Sequence, residues 1–209
     1  MFMHSSKLKK FLNITGIILA CIFIYFFVGW PKTYPKTYGI TWSINYAQYL
    51  GIDPFAGLAA ALDELKVKHV RLPAYWTHIE PARGVFQWSS LDQQLAIVRA
   101  RQGTVTLVVG AKQPRWPECW LPDWVKTLDE QTRHTEQLEY VRATVKRYQN
   151  DAVITRWQIE NEPTFLSSFG DCALYDPTLI DIEVALVKEI DGNRRRLATT
   201  ASGELSTWM

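Results

Sequence analysis

Short apolar runs alternate with amphipathic segments along most of the chain. Runs rich in β-branched and aromatic residues predict five strands, over residues 38–44, 68–73, 104–110, 153–159 and 196–202. The four segments between them repeat apolar residues every three or four positions, which predicts helices. Strand followed by helix, repeated in this way, indicates parallel strands that are joined by right-handed crossovers.

Two architectures fit that alternation, an open doubly wound sheet and a (β/α)8 barrel. The open sheet is typically marked by a glycine-rich phosphate turn after its first strand, whereas residues 45–51 read NYAQYLG. The barrel is therefore favoured. A whole (β/α)8 barrel takes about 250 residues, and the five strands here use the 172 residues 38–209. The predicted fold class is α/β, a (β/α)8 TIM barrel truncated to about its first five strands, within a natural protein that we expect to be longer.

The N-terminal segment has a different character. Residues 11–30 contain no charged residue and would reach about 30 Å as a helix, which is the thickness of the hydrocarbon core of a bilayer. This predicts one transmembrane helix at 11–30, a cytoplasmic tail at 1–10 and a linker at 31–37. A cleaved signal peptide is the alternative, and either version exports the domain. The expected localisation is a single-pass membrane anchor with residues 38–209 outside the cytoplasm.

Charge and known motifs exclude several classes of function. The chain has 23 basic and 21 acidic residues, but residues 38–209 contain 18 basic and 21 acidic residues, so no basic surface for nucleic acid is expected. The sequence has no HExxH, G-x-S-x-G or P-loop motif, and its four histidines lack metal-ligand spacing. No metal and no cofactor is predicted.

Two cysteines fall in the loops that follow the third and fourth strands. Cys119 and Cys172 would lie on the same face of the barrel, in a compartment that permits oxidation. We predict a disulfide that joins the two loops, with free thiols as the alternative.

The most informative segment, RWQIENEP, spans residues 156–163 at the end of the fourth strand. In a barrel of this kind, functional residues lie at the carboxyl ends of strands. Three places carry a resemblance to a known family: this segment, the segment HIEPARGVFQWSSLD at 78–92, and the pair Val70-Arg71. The chain resembles the clan A glycoside hydrolases, in particular their β-galactosidase-like and cellulase-like members. The resemblance covers essentially all of residues 38–209.

The resemblance implies a retaining glycoside hydrolase that cleaves O-glycosidic bonds of β-linked oligo- or polysaccharides. Retention requires a proton donor and a second carboxylate about 5–5.5 Å away. The resemblance makes Glu162 the general acid/base, Asn161 the partner of the sugar 2-hydroxyl and Arg71 the residue that orients the nucleophile. It places the nucleophile at the end of a seventh strand, beyond residue 209. Glu80, Glu118, Glu160 and Glu204 are predicted to be structural or substrate-positioning residues.

Aromatic residues follow the predicted strands on the same rim. Flat aromatic rings bury the apolar faces of sugars, so substrate contacts are predicted for Trp42, Trp76, Trp116, Trp120 and Trp208. Asn45, beside the first strand, is predicted to bind a sugar hydroxyl. For any one tryptophan, packing within a loop is an equally good interpretation. The predicted partner is a carbohydrate substrate, and the alternative function is a non-catalytic carbohydrate-binding or scaffold remnant of a glycosidase barrel.

Overall fold

The structure is a computed structural model, and it describes residues 4–28, 37–163, 170–192 and 196–198. The chain divides into two compact units, Met1–Thr37 and Tyr38–Met209.

The N-terminal unit contains helix α1, His4–Phe23, followed by a π-helix, Ile24–Val28. Helix α1 starts well before residue 11 and includes three lysines, and a different helix type follows it. No helix in the described part of the chain is long and apolar enough to cross a membrane. The structure therefore does not support the predicted transmembrane span at 11–30 or the membrane as a partner.

The second unit is built on one parallel sheet. Its strands are β1 Gly39–Thr41, β2 His69–Pro73, β3 Thr104–Val109, β4 Ile154–Ile159 and β5 Arg196–Ala198. The helices are α2 Ile44–Tyr49, α3 Pro54–Leu65, α4 Trp76–Ile79, α5 Ser89–Ala100, α6 Asp123–Lys126, α7 Glu130–Tyr148 and α8 Ile180–Asp191, with a 3-10 turn at Pro177–Leu179.

The strands lie side by side in chain order, β1-β2-β3-β4-β5, and every pair is parallel. A doubly wound sheet reverses its strand order at a switch point, whereas a (β/α)8 barrel adds each strand beside the previous one. The described order is therefore that of the first five strands of a barrel, as the sequence predicts. All carboxyl ends of the strands meet at one edge.

Local sequence signals explain where several helices begin and end. The Asp53 carboxylate accepts the backbone N–H groups of Phe55 and Ala56, and Pro54 has no N–H that needs a partner at the first helical position. Gly192 ends α8 in the left-handed conformation. The first strand is shorter than predicted, because Ser43 caps α2 by accepting the N–H of Tyr46.

The two faces of the sheet differ in chemistry. The helices cover one face, where side chains from β2, β3 and β4 form the core with those of α3, α5, α7 and α8. Core members include Leu58, Leu62, Val70, Leu72, Leu95, Val98, Val105, Leu107, Val141, Val145, Trp157, Ile159 and Val187. The alternate positions of the strands carry polar groups, among them Thr41, His69, Arg71, Thr106, Arg156 and Gln158. This polar face leads to the carboxyl edge where the predicted site residues lie.

Candidate active site

The residues that follow β4 form a tight turn. Glu160 and Glu162 both have positive φ, 57° and 53°, a left-handed conformation that costs about 1–2 kcal/mol per non-glycine residue. The N–H of Glu160 donates to the carbonyl of Val109 at 2.8 Å, and the N–H of Asn161 donates to the carbonyl of Lys112 at 2.7 Å. The Glu160-Asn161-Glu162 turn is thus tied to the end of β3.

The three residues that the sequence predicts as catalytic lie in one cleft. Arg71, Asn161 and Glu162 line a cavity of about 500 Å³ at the carboxyl edge of the sheet, together with Thr41, Pro114, Arg115 and Glu118. Arg71 and Glu162 are 91 positions apart in the sequence, and the parallel register of β1 to β4 brings them together. A carboxyl group, an amide and a guanidinium therefore face the same space.

Arg71 is held rigidly in this cleft by neutral partners. Its Nε donates to Oγ1 of Thr41 at 3.0 Å, and its Nη1 donates to Oε1 of Gln158 at 3.4 Å. Burial, and secondarily the nearby Arg115, lowers the pKa of Arg71, while Glu162 opposes this change. An arginine stays protonated even so, and its charge remains available to an anion in the cleft.

Lys112 is a site residue that sequence reasoning missed. Its side chain is almost completely buried, and its Nζ donates to the backbone carbonyl of Glu162 at 3.0 Å. The same Nζ lies 3.7 Å from Oε2 of Glu118 and 5.8 Å from the ring centre of Tyr175. Lys112 lies three residues beyond the end of the apolar strand β3, and that position alone does not mark it as a site residue.

Glu118 brings a second carboxyl group to the cleft wall. Burial raises the pKa of Glu118, Lys112 lowers it, and Glu162 raises it further. Glu118 has φ of 67°, and Arg115, which lines the same cleft, has φ of 84°. The loop after β3 thus turns sharply twice to bring a cation and a carboxyl group beside Glu162.

The predicted aromatic residues divide into different environments. Trp76 is fully buried, donates from Nε1 to Glu80 at 2.9 Å and stacks on Tyr140 with ring centres 5.1 Å apart. Trp76 belongs to the core, so its prediction as a surface for sugar binding is wrong. The reason is that α4 places the ring against Tyr140 of α7. Trp42 packs against the core at Gly57 of α3 and does not line the cleft.

The remaining predicted contacts lie nearer the surface or outside the described residues. Asn45 is half-buried on α2 and is not part of the cleft wall, and Trp120 packs on Tyr75 with ring centres 4.5 Å apart. Trp116 is 66% exposed on the loop that carries Arg115. Trp208 and Glu204 lie outside the described residues.

An aromatic group that the sequence analysis did not select lies beside the cleft. The Arg115 guanidinium lies 5.5 Å from the ring centre of Tyr46, which stacks on Tyr49 at 6.1 Å. Both tyrosines are exposed. Their helix, α2, follows a strand that was predicted to continue through Ile44, so the tyrosines were assigned to no site.

Among the described residues, one group of side chains has donor atoms close enough together to hold a metal ion. Glu130, His134 and Asp176 place these atoms within 4.8 Å of one another, outside the cleft. Asp176 also caps the turn at Pro177–Leu179 by accepting the N–H of Thr178, and this hydrogen bond lowers the pKa of Asp176. The His134 ring lies 3.2 Å from the same carboxylate. The cap of the 3-10 turn and the contact between His134 and Asp176 explain why these side chains lie close together.

Cys119 and Cys172 form a disulfide, the pairing that the sequence predicts, with Cα atoms 5.1 Å apart. The bond joins the loop after β3 to the loop after β4, directly beside Glu118. A further hydrogen bond, from the N–H of Asp171 to the carbonyl of Pro117 at 2.9 Å, joins the same loops. The wall of the cleft that holds Glu118 is therefore fixed to the segment that follows Glu162.

Replacing both cysteines by serine should lower the free energy of unfolding by about 2–4 kcal/mol, because the bond closes a long loop in the unfolded chain. The sequence separation that it closes is 53 residues. Denaturant unfolding of the double variant and of wild type, each with and without reductant, measures this. Cys21→Ser is the control and should leave the unfolding transition unchanged. A double variant that unfolds at the same denaturant concentration as wild type would contradict the prediction.

A parallel sheet in barrel order with a cleft at its carboxyl edge is the arrangement of (β/α)8-barrel enzymes, whose active sites lie at that edge. Residues 57–174 match the glycoside hydrolase 42 family, described as beta-galactosidase. The match covers more than half of the chain, and the chain belongs to this family. The predicted membership of the clan A glycoside hydrolases is confirmed.

Solved structures of other glycoside hydrolases share the fold. GH5_18 from Streptomyces cattleya in complex with GlcNAc is 17% identical with a TM-score of 0.59, over 79% of this chain and 44% of that chain. A family 10 endo-beta-1,4-xylanase from Gloeophyllum trabeum is 18% identical with a TM-score of 0.56, over 78% of this chain and 50% of that chain. The chain thus spans half or less of the length of these structures. No curated protein matches it.

Proposed function

We propose that the chain carries the acid/base part of the active site of a retaining glycosidase that acts on β-linked oligo- or polysaccharides. The observation that carries this proposal is the single cleft lined by Arg71, Asn161 and Glu162. Glu162 would protonate the leaving oxygen and then activate the water that completes hydrolysis. Asn161 would hydrogen-bond the sugar 2-hydroxyl, a contact that strengthens in the transition state.

Arg71 supports the retaining version of this proposal. Both hydrogen-bond partners of its guanidinium are neutral oxygens, and a cation in a cleft favours a nearby carboxylate in its ionised form. The proposed nucleophile is such a carboxylate, a glutamate at the end of a seventh strand that would approach Arg71 from the open side of the cleft.

A carbohydrate ligand is supported by the comparisons and by the cleft. GH5_18 of Streptomyces cattleya was crystallised with GlcNAc and, as a variant, with Manb1-4GlcNAc, and the family is described as beta-galactosidase. β-Galactosides are therefore the first substrates to test. The exposed ring of Trp116 beside the cleft is suited to contact the apolar face of a sugar.

The disulfide supports a location outside the cytoplasm. Bonds such as Cys119–Cys172 persist in oxidising compartments and are rare where thiols are kept reduced. We propose that residues 38–209 fold in such a compartment.

The stereochemistry of the first product tests the proposed function. The protein extended through the proposed nucleophile is incubated with an aryl β-galactoside. Proton NMR during the first minutes should show the β-anomer of the released sugar before mutarotation. The α-anomer as first product would contradict retention. Saturable binding of the sugar without any product would instead favour the non-catalytic alternative, a carbohydrate-binding remnant of a glycosidase barrel.

A further inference from the structure

Two carboxyl groups lie buried directly behind the Glu160-Asn161-Glu162 turn. Glu160, at the end of β4, is 0% exposed, and Glu183, on α8, is 1% exposed. Gln137 of α7 lies between them, and its Nε2 donates to Oε1 of Glu160 at 3.1 Å and to Oε1 of Glu183 at 2.8 Å. None of these three side chains lines the cleft.

Glu160 is surrounded by hydrogen-bond donors. Besides Gln137, the backbone N–H of Ala111 donates to its Oε1 at 2.7 Å, and the backbone N–H of Lys112 donates to its Oε2. Gly110 makes this approach possible, because a Cβ atom there would lie 2.3 Å from Oε1 of Glu160. Both oxygens thus accept N–H groups, and a carboxylate that accepts two or three such bonds is stabilised in its ionised form.

Glu183 has a different environment. Its Oε1 accepts a bond from Gln137, and its Oε2 accepts no N–H or O–H donor within the described residues. The carboxyl group also lies within hydrogen-bonding reach of the Glu160 carboxyl group. Burial raises the pKa of both carboxyl groups. On Glu160 the charge of Glu183 adds to that rise and the amides of Ala111 and Lys112 oppose it, while on Glu183 the hydrogen bonds with Gln137 and Glu160 oppose it. The two groups interact directly, so two negative charges at this place would be strongly unfavourable.

Other ionisable groups face this pair from the neighbouring elements. Tyr140 of α7 is buried and Tyr175 of the loop after β4 is half-buried. The charges of Glu160 and Glu183 raise the pKa of both tyrosines beyond the effect of burial. Glu80, beyond α4, affects Tyr140 in the same direction. The ammonium group of Lys112 is directed to Glu162 and Glu118.

We infer that Glu160 and Glu183 hold one proton between them at neutral pH, that this proton resides on Glu183, and that ionised Glu160 is a positioning residue for Glu162. Glu160 fixes the amides of Ala111 and Lys112 against β4. Lys112 in turn binds the turn through its carbonyl, which accepts from Asn161, and through Nζ, which donates to Glu162. The positioning role rests on the proposed function of Glu162, whereas the location of the proton does not.

Neutral isosteres distinguish the two carboxyl groups. In Glu183→Gln, the new amide oxygen can accept from Gln137 and the new NH₂ can donate to Glu160, as a protonated carboxyl group would. In Glu160→Gln, the NH₂ group must face one of the backbone N–H groups of Ala111 and Lys112, where no acceptor exists. We expect Glu183→Gln to fold as wild type does and Glu160→Gln to lower the Tm at pH 7 by about 6–12 °C, as expected for a loss of a few kcal/mol in a chain of this size.

The pH dependence follows from the sign of the shift. A carboxyl group whose folded-state pKa is raised contributes stability below its unfolded pKa, and this contribution is lost as the pH rises through the folded value, which is about 7 for Glu183. The Tm of Glu183→Gln relative to wild type should therefore increase between pH 5 and pH 8. Glu189→Gln, an exposed change on the same helix, is the matched control and should show no such increase.

Infrared spectroscopy of the 209-residue chain at pH 7 reads the proton directly. Wild type should show the C=O band of a buried protonated carboxyl group, and Glu183→Gln should lack it. A C=O band that persists in Glu183→Gln would overturn the assignment of the proton. A Glu160→Gln variant that is as stable as wild type would also overturn it. If Glu160→Gln does not fold, the infrared spectra of wild type and Glu183→Gln decide the question without it.

Turnover tests the positioning role separately. In an active wild type, Glu160→Gln should lower kcat with little change in KM, and Glu183→Gln should keep kcat within about twofold, since only the former disturbs the turn that carries Glu162. Equal kcat values for both variants would overturn the positioning role. These rates are measured on the protein extended through the proposed nucleophile. If that protein shows no hydrolysis, the proposed function is contradicted, and the infrared and Tm results alone judge the location of the proton.

Discussion

Replacing Glu162 with glutamine should lower the rate of hydrolysis of unactivated β-glycosides by about 10²–10⁴-fold, the usual contribution of a general acid. The same variant should retain much of its first-step rate on aryl glycosides with good leaving groups, because such groups depart with little protonation. The loss in kcat/KM that Glu162→Gln causes should therefore increase steeply with the pKa of the leaving group. It is measured as kcat/KM over a series of aryl β-galactosides for wild type and variant.

Glu118→Gln is the matched control for this experiment. It makes the same chemical change in the same cleft, on a residue to which the proposed mechanism assigns no proton transfer. Its effect should be smaller and equal for all leaving groups. An equal loss for all leaving groups in Glu162→Gln, or a steep dependence in Glu118→Gln, would show that Glu162 is not the acid.

A small anion provides a second test of the same role. In a retaining enzyme that lacks its acid/base, the glycosyl-enzyme intermediate accumulates, because no base activates the incoming water. Azide needs no base, so it should accelerate turnover of an activated substrate by Glu162→Gln and yield a β-glycosyl azide. Azide should leave wild type unaffected, and failure to accelerate the variant would count against the proposed role.

The strand and helix pattern was readable from the sequence because it depends on local features. A continuous apolar run identifies β3 closely, and a run of β-branched and aromatic residues identifies β4. Asp53-Pro54 and Gly192 mark helix boundaries. The first strand was predicted too long because residues 38–44 all suit an extended chain. The hydroxyl of Ser43, which caps α2, is a competing local signal of equal strength.

The grouping of the three predicted catalytic residues could be predicted for a different reason. Arg71, Asn161 and Glu162 carry a recognisable motif, and barrel topology places the ends of consecutive strands side by side. Trp76 shows the limit of this reasoning: residue type and rim position suit both a sugar platform and a core residue. Only the packing of its ring on Tyr140, far away in sequence, decides between them.

The support behind the catalytic turn could not be predicted from sequence. Lys112 contacts a carbonyl 50 positions away, and Glu160 contacts amides 48 and 49 positions away. These are contacts of side chains with backbone atoms, and such contacts leave no periodic or motif-like signal. A carboxylate beside the Asn-Glu pair and a lysine after a strand are each, in isolation, ordinary surface residues.

Replacing Lys112 with methionine should lower the free energy of unfolding by about 3 kcal/mol or more, since removing one partner of a buried charged group leaves the other uncompensated. Glu118, which is mostly buried, loses its cation, and the carbonyl of Glu162 loses a donor. Methionine keeps the length and apolar part of the side chain, so the change isolates the ammonium group. Chemical denaturation at pH 7 measures the effect.

Lys126→Met is the matched control, because Lys126 also pairs with a carboxylate, Asp123, at 2.9 Å, but with side chains 44% and 98% exposed. Exposed pairs of this kind contribute about 0–1 kcal/mol, so this variant should unfold almost as wild type does. The double variant Lys112→Met with Glu118→Gln should recover part of the loss, because it removes the uncompensated carboxylate along with the ammonium group. Equal stability of the two lysine variants would show that the ammonium group of Lys112 does not hold the catalytic turn.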